Sequence, residues 1–266
     1  HMQLAYDEVS EHLRAERDRP DSGSLAGNPW SDGLRLLEEI GRKRQALALE
    51  RGAVSLPISA QHVRPWVAAL HGYKLAFEDP NDVEGWNAEI SLLTGMAAAD
   101  CMRRRGVGLL RALDAPREER VVALRLTAEA LGVPWPDGAD YATFINSLDP
   151  TDPVHAAVVY HAAGTMRGAH YVAFEGEAPE AARHAALATY YAHTTAPLRR
   201  LADRFVLELL VRQCAGVEPE AELLDAIRKL PAVMDHTERR ARESENAVVD
   251  LAEAVLLSDQ VGHTFD

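Results

Sequence analysis

The sequence predicts a mixed α/β (α+β) fold dominated by helices. Apolar residues recur near a 3.6-residue period over most of the 266 residues. Only short stretches carry a β pattern, at 53–58, 73–77, 108–113 and 170–174, so helices dominate the tally. With 47% hydrophobic and 26% charged residues, the chain buries a sizeable core as one large domain or two small ones.

Taken in order, Gln3 to Arg17 has helical character, with Leu4, Val9 and Leu13 as core positions. Residues 18–30 are rich in Pro, Gly and Ser and read as a loop. Ser31 caps a second helix through Leu34, Leu37, Ile40, Leu47 and Leu49, which stops at Gly52. Residues 79–82 are turn chemistry. A third helix runs from Val83 to Arg105 and ends at Gly106; Gly95, Ala97, Ala98 and Ala99 let a neighbour approach closely. Further helices are expected at Arg117 to Leu131, Asp140 to Leu148 and Val154 to Met166. Thr194 and Thr195 are good N-cap residues and Pro197 suits a first turn, so a helix is expected from there to Cys214, closed by Gly216. Its buried stripe is read as Leu198, Leu201, Phe205 and Leu209. Glu218 to Leu230 is helical, Pro231 breaks or kinks it, and a long charged helix follows from Met234 to Leu257. His1-Met2 reads as a tag residue, and 258–266 as a linker or the start of a further domain.

The net charge of −13 argues against a surface coated with nucleic-acid-binding charge, but a local basic channel is compatible with it. No apolar run reaches membrane-spanning length. The two cysteines, Cys101 and Cys214, lack metal-type spacing, so buried thiols in a reducing, cytoplasmic compartment are expected. Glycine-rich phosphate loops, nucleophile elbows and zinc motifs are absent. The acid pairs Asp79/Asp82 and Asp149/Asp152 sit beside prolines and read as caps, not metal ligands. His62, His71, His155 and His161 are scattered and receive no role.

Between Ala181 and Arg204 the charge reverses, with Arg183, Arg199, Arg200 and Arg204 against Asp203 alone. Arg199 and Arg200 near a helix start oppose the helix dipole, so an anion is expected there, with Arg183, His184 and His193 close by. The alternative is an exposed arginine pair compensated by Asp203 and Glu208. Glu89, in a mostly apolar helix, is either a solvated carboxylate or a functional one.

The run His193-Thr194-Thr195-Ala196-Pro197-Leu198-Arg199-Arg200-Leu201-Ala202-Asp203 resembles the H-F-T-S-P-I-R-R-Y-x-D signature of the RNB domain. That is the catalytic domain of the ribonuclease II and ribonuclease R family of 3′-to-5′ exoribonucleases. Other segments agree in order. They are Arg51-Gly52-Ala53 with R-x-G-A, Glu89-Ile90-Ser91-Leu92-Leu93-Thr94-Gly95 with E-x-M-L-L-A-N, and Arg111 with Pro116. Ala169-His170-Tyr171 and His184-Ala185-Ala186-Leu187-Ala188 complete the set.

The resemblance implies an RNB-like domain over 3–257, single-stranded RNA as partner, and hydrolysis to nucleoside monophosphates in the complete protein. It implies a catalytic role for Arg199 against the scissile phosphate, and substrate contacts for Arg200, Thr195, His193, Arg111 and His184. Glu89 matches an acid that accepts from a ribose 2′-hydroxyl, and Glu245 a further acid near the site. Thr194, Ala196, Leu201 and Gly95 depart from the pattern. The larger departure is the family's magnesium-holding D-x(5,6)-D-x-D-D-A cluster, which this sequence lacks. The implied Mg2+ therefore belongs to the complete enzyme, with no metal ligand here. The chain reads as the later part of an RNB domain, with 258–266 opening an OB-fold. It is expected to be inactive alone, and the missing N-terminal part is a possible partner. The alternative is a non-catalytic RNB-like module that binds RNA or protein.

Overall fold

Helices form where the period is 3.6, with shifts at their ends. A computed structural model describes residues 2–19, 22–56, 60–65, 73–78, 81–149 and 151–264, with 60–65 and 73–78 described by their backbone. The elements are α1 (Tyr6–Asp18), α2 (Ser31–Glu50), β1 (Ala60–Pro65), β2 (Tyr73–Glu78), α3 (Asp82–Arg105), β3 (Val107–Ala112), α4 (Glu118–Ala130), α5 (Tyr141–Asn146), α6 (Pro153–Ala163), β4 (His170–Glu175), α7 (Leu201–Ala215) and α8 (Ala221–Leu257). The chain divides into two compact units, His1–Ile58 with Pro80–Pro231, and Ser59–Asp79 with Ala232–Asp266.

In the first unit α1 and α2 pack on α3. Val9, Leu13, Leu25, Val83 and Trp86 close this core, and each such side chain contributes roughly 1.5–3 kcal/mol by burial. Gly41 of α2 is buried there because a Cβ would lie 2.4 Å from the Trp86 Cβ. A separate core joins α4, α5 and α6 through Leu124, Ala128, Val133, Phe144, Ile145, Val158 and Ala162. Asp152 caps α6 by accepting from the Val154 and His155 N–H groups. Asn81 caps α3, and Gly106 ends it at φ 72°, the left-handed conformation glycine adopts without strain. The chain then turns directly into β3, which pairs antiparallel with β4 so that Arg111 stands opposite Tyr171. In the second unit β1 and β2 form an antiparallel pair, with Ala60 opposite Glu78.

Several expectations are corrected. The break expected at Pro231 is overturned, since this proline lies inside α8, which is assigned as one helix of 37 residues; the kink reading is not contradicted. Proline removes one backbone bond, and the Ala-, Leu- and charge-rich flanks propagate the helix through it. The segment 53–56 has no regular structure, and residues 57 and 58 of that expected strand lie outside the described residues, as do Asp79 and His71. The cysteines are not both buried, since Cys101 is half-buried and Cys214 exposed.

The largest change is at α7, which starts at Leu201 and not near Thr195. Asp203 is fully buried and accepts the Ala196 N–H at 2.7 Å. The Arg199 and Arg200 N–H groups turn back to the Ala196 carbonyl, so 196–200 closes as a turn before the helix. Leu198 is consequently fully exposed, and the buried stripe is Ala202, Val206 and Leu209, with Asp203 and Gln213. Among the described residues, no helix is long and apolar enough to cross a membrane.

Candidate nucleic-acid interface

The segment 184–200 crosses the first unit between α3 and β3. The Arg111 N–H donates to the Tyr191 carbonyl at 2.8 Å, and the Ala192 N–H to the Gly95 carbonyl at 3.1 Å. A Cβ on residue 95 would stand 2.1 Å from Tyr191 Cε2 and 2.5 Å from the Ala192 oxygen. Glycine at this departure from the family pattern therefore lets the segment lie directly on α3.

Beneath it the aromatic and imidazole rings interlock. The Arg111 guanidinium lies 4.6 Å from the centre of the Tyr171 ring. A 2.7 Å hydrogen bond joins the Tyr171 hydroxyl to His193 Nδ1. Tyr191 meets the His193 and His184 rings edge-on, at 5.5 and 6.1 Å. Burial, with the Arg200 and Arg111 charges, pushes the His193 pKa down to about 3. Burial and Arg111 push that of His184 down to about 4. Both imidazoles are neutral at pH 7, so they supply shape and polarity while the arginines supply the charge.

This gives a pH dependence with a defined sign. Each histidine binds a proton more readily unfolded, near pH 6.5, than folded, so acid favours the unfolded state. Stability should fall as pH drops below about 6.5, by about 1.4 kcal/mol per pH unit for each group. Urea unfolding at pH 7 and pH 5 checks it. The loss should be smaller in His193→Gln, and an equal loss in the variant would sink the assignment.

At the turn before α7, the arginine pair divides. Arg200 is held by Asp203, with its Nη2 2.9 Å and its Nε 3.0 Å from the carboxylate oxygens, and their side chains are only 18% and 0% exposed. The sequence reading placed both arginines at a helix start, but Arg200 is the N-cap residue and its charge is neutralised locally. Arg199 is exposed, and among the described residues nothing hydrogen-bonds or ion-pairs its guanidinium. Thr195 is exposed on the same turn, and its hydroxyl oxygen lies 3.5 Å from Arg200 Nη2.

Glu89 forms a second centre on the side of α3 toward α2. Burial raises its carboxyl pKa, while Arg44 and Arg51 pull it down. Glu89 Oε2, Arg44 Nε and Arg51 Nη2 are all buried without a hydrogen-bond partner. Arg51 also donates to the Leu187 carbonyl at 2.9 Å, which ties this centre to the turn after His184.

Thus Arg111, His184, His193, Thr195, Arg199 and Arg200 come together on one segment and its supports, with Glu89 alongside. Glu245 is exposed on the part of α8 assigned to the second unit. A cavity of about 520 Å3 lined by Arg125, Trp135 and Asp137 contains none of these residues. The structure adds Arg44, Tyr171, Tyr191 and the buried state of Asp203. Arg44 had a sequence signal, because it stands two helical turns before Arg51. Among the described residues no group of three or more His, Cys, Asp or Glu could hold a metal ion. The described residues do not fit a magnesium site.

The RNB domain family model matches residues 1–215. No curated protein sequence matches the chain. Mycoplasma genitalium RNase R in complex with ribose-methylated single-stranded RNA has a similar structure. It shows a TM-score of 0.79 and 20% identity over 98% of this chain and 41% of its own. The apo form of the same enzyme gives 0.80, with the same identity and coverage. Yeast Ssd1, a pseudonuclease, gives 0.62 and 19% identity over 87% of this chain and 28% of its own. The chain thus spans about two fifths of the RNase R chains it matches. With the signature run folded into the turn before α7 and that helix's first residues, and the family model covering most of the sequence, this chain belongs to the RNB domain family.

Proposed function

We propose that this chain forms the RNA-holding wall of a 3′-to-5′ exoribonuclease that hydrolyses single-stranded RNA to nucleoside monophosphates. The observation that carries the reading is Arg199, an exposed guanidinium with no partner among the described residues, on a turn fixed by a buried carboxylate. It is placed to meet a phosphate and to stabilise charge developing on it. Thr195 borders the same turn, and Arg111, His184 and His193 keep its floor rigid and largely uncharged. Glu89 accepts from a ribose hydroxyl, the group that separates RNA from DNA. RNase R, the similar structure, is found with single-stranded and with double-stranded RNA.

The carboxylates that would hold Mg2+ and activate water would come from a preceding part of the domain, in a cytoplasmic protein. The chain alone should bind labelled single-stranded RNA in the presence of magnesium without shortening it. Shortening would refute the division of labour, and absence of binding would refute the RNA wall. A second reading, a non-catalytic RNA-binding module, is favoured by the absence of a metal-ligating group among the described residues and by the pseudonuclease relative. Adding an upstream segment that carries an aspartate cluster separates the two, because turnover appears only under the first.

A further inference from the structure

Tyr171 of β4 links the floor of the interface to the segment above it. Its ring carries the Arg111 guanidinium, 4.6 Å from the ring centre, and its hydroxyl makes the 2.7 Å hydrogen bond to His193 Nδ1. The register fixes this ring, since Tyr171 stands opposite Arg111 across the β3–β4 pair, and the Arg111 N–H ties the pair to the Tyr191 carbonyl. The Tyr171 and Tyr191 rings meet the His193 imidazole edge-on, at 5.7 and 5.5 Å, so it is held from two sides. Its Nε2 has no hydrogen-bond partner among the described residues and is not sealed from solvent, whereas His184 Nδ1 is buried without one. His193 thus has one nitrogen engaged inward and one open, on the segment that closes at Ala196 into the Arg199 turn.

We propose that Tyr171 is a positioning residue: its hydroxyl donates to His193 Nδ1 and fixes the imidazole as the Nε2–H tautomer, whose N–H donates to an RNA phosphate oxygen. This contact rests on the reading of the segment as an RNA wall. The sense of the inner bond follows from acidity, because a phenol O–H is a stronger acid than the N–H of a neutral imidazole, so the hydroxyl donates and the ring nitrogen accepts. The Arg111 cation over the Tyr171 ring draws electron density from the phenol and strengthens it as a donor. His193 is neutral at pH 7, so it adds a hydrogen bond to the backbone of the RNA without adding charge. In the other tautomer Nε2 would turn a lone pair toward the phosphate and repel it. The hydroxyl of Tyr171 therefore decides whether this ring attracts the RNA backbone.

The test has two parts. Imidazole proton–nitrogen spectra of the 15N-histidine-labelled chain at pH 7 should show His193, assigned by its loss in H193F, protonated on Nε2 and unprotonated on Nδ1. In Y171F the two nitrogens should move toward a mixture of tautomers. Fluorescence anisotropy with labelled single-stranded RNA should show Y171F and H193F binding roughly 3–10-fold more weakly than the unaltered chain. Their salt slopes should be unchanged, because a neutral donor displaces no counterion. Protonation on Nδ1 in the unaltered chain, or an unmoved tautomer in Y171F, would overturn the proposal. RNA binding that both variants leave unchanged would overturn this contact alone, whereas absence of binding by the unaltered chain would overturn the RNA wall and this contact with it.

Discussion

Asp203→Ala is expected to lower stability by about 3–5 kcal/mol, the cost of breaking a buried ion pair by removing one partner. Asp203 is fully buried, accepts the Ala196 N–H at 2.7 Å and holds Arg200 at 2.9–3.2 Å. Its removal leaves the Arg200 charge, only 18% exposed, without its counter-ion, and an amide N–H without an acceptor. The melting temperature should fall on the order of 10 °C for a chain of this size. Asp203→Asn keeps an acceptor for Ala196 and should lose less. A calorimetric loss in the alanine variant below about 1 kcal/mol would show that the turn stands without the carboxylate.

Arg199→Ala should do the opposite, sparing the fold and removing the chemistry. The side chain is exposed and unpartnered among the described residues, so stability should change by no more than about 0.5 kcal/mol. In a longer protein that contains the aspartate cluster, turnover should fall roughly 10²–10³-fold, the cost of losing one donor to a developing oxyanion. RNA affinity should fall far less, with the salt slope reduced by about 0.7, one phosphate contact on a single strand. Single-turnover rates and a salt titration check both. Unchanged turnover would remove Arg199 from the reaction and favour the non-catalytic module.

The two arginines are adjacent and identical, and composition and spacing give no reason to separate them; only the family resemblance singled out Arg199. Burial of Asp203, next to a loop that folds back on it, assigns one arginine to structure and leaves the other free. The same holds for His193 and His184. Their place in the segments that carry the resemblance was legible, but their neutrality follows from burial against Tyr171, Tyr191 and Arg111. Glu89 stood out as an acid on an apolar helix. Its facing arginines come from α2, and only the packing of α2 on α3 brings them there.

By itself the sequence determined the helix-dominated class, most helices to within a few residues, both strands of the β3–β4 pair and the RNB signature. These rest on local periodicity, caps and a contiguous motif, which neighbouring residues encode directly. Tertiary structure alone decided where α7 begins, which arginine is available and which titratable groups are uncharged. Each depends on desolvation and on contacts between segments distant in the chain, and the period of a single segment does not record them.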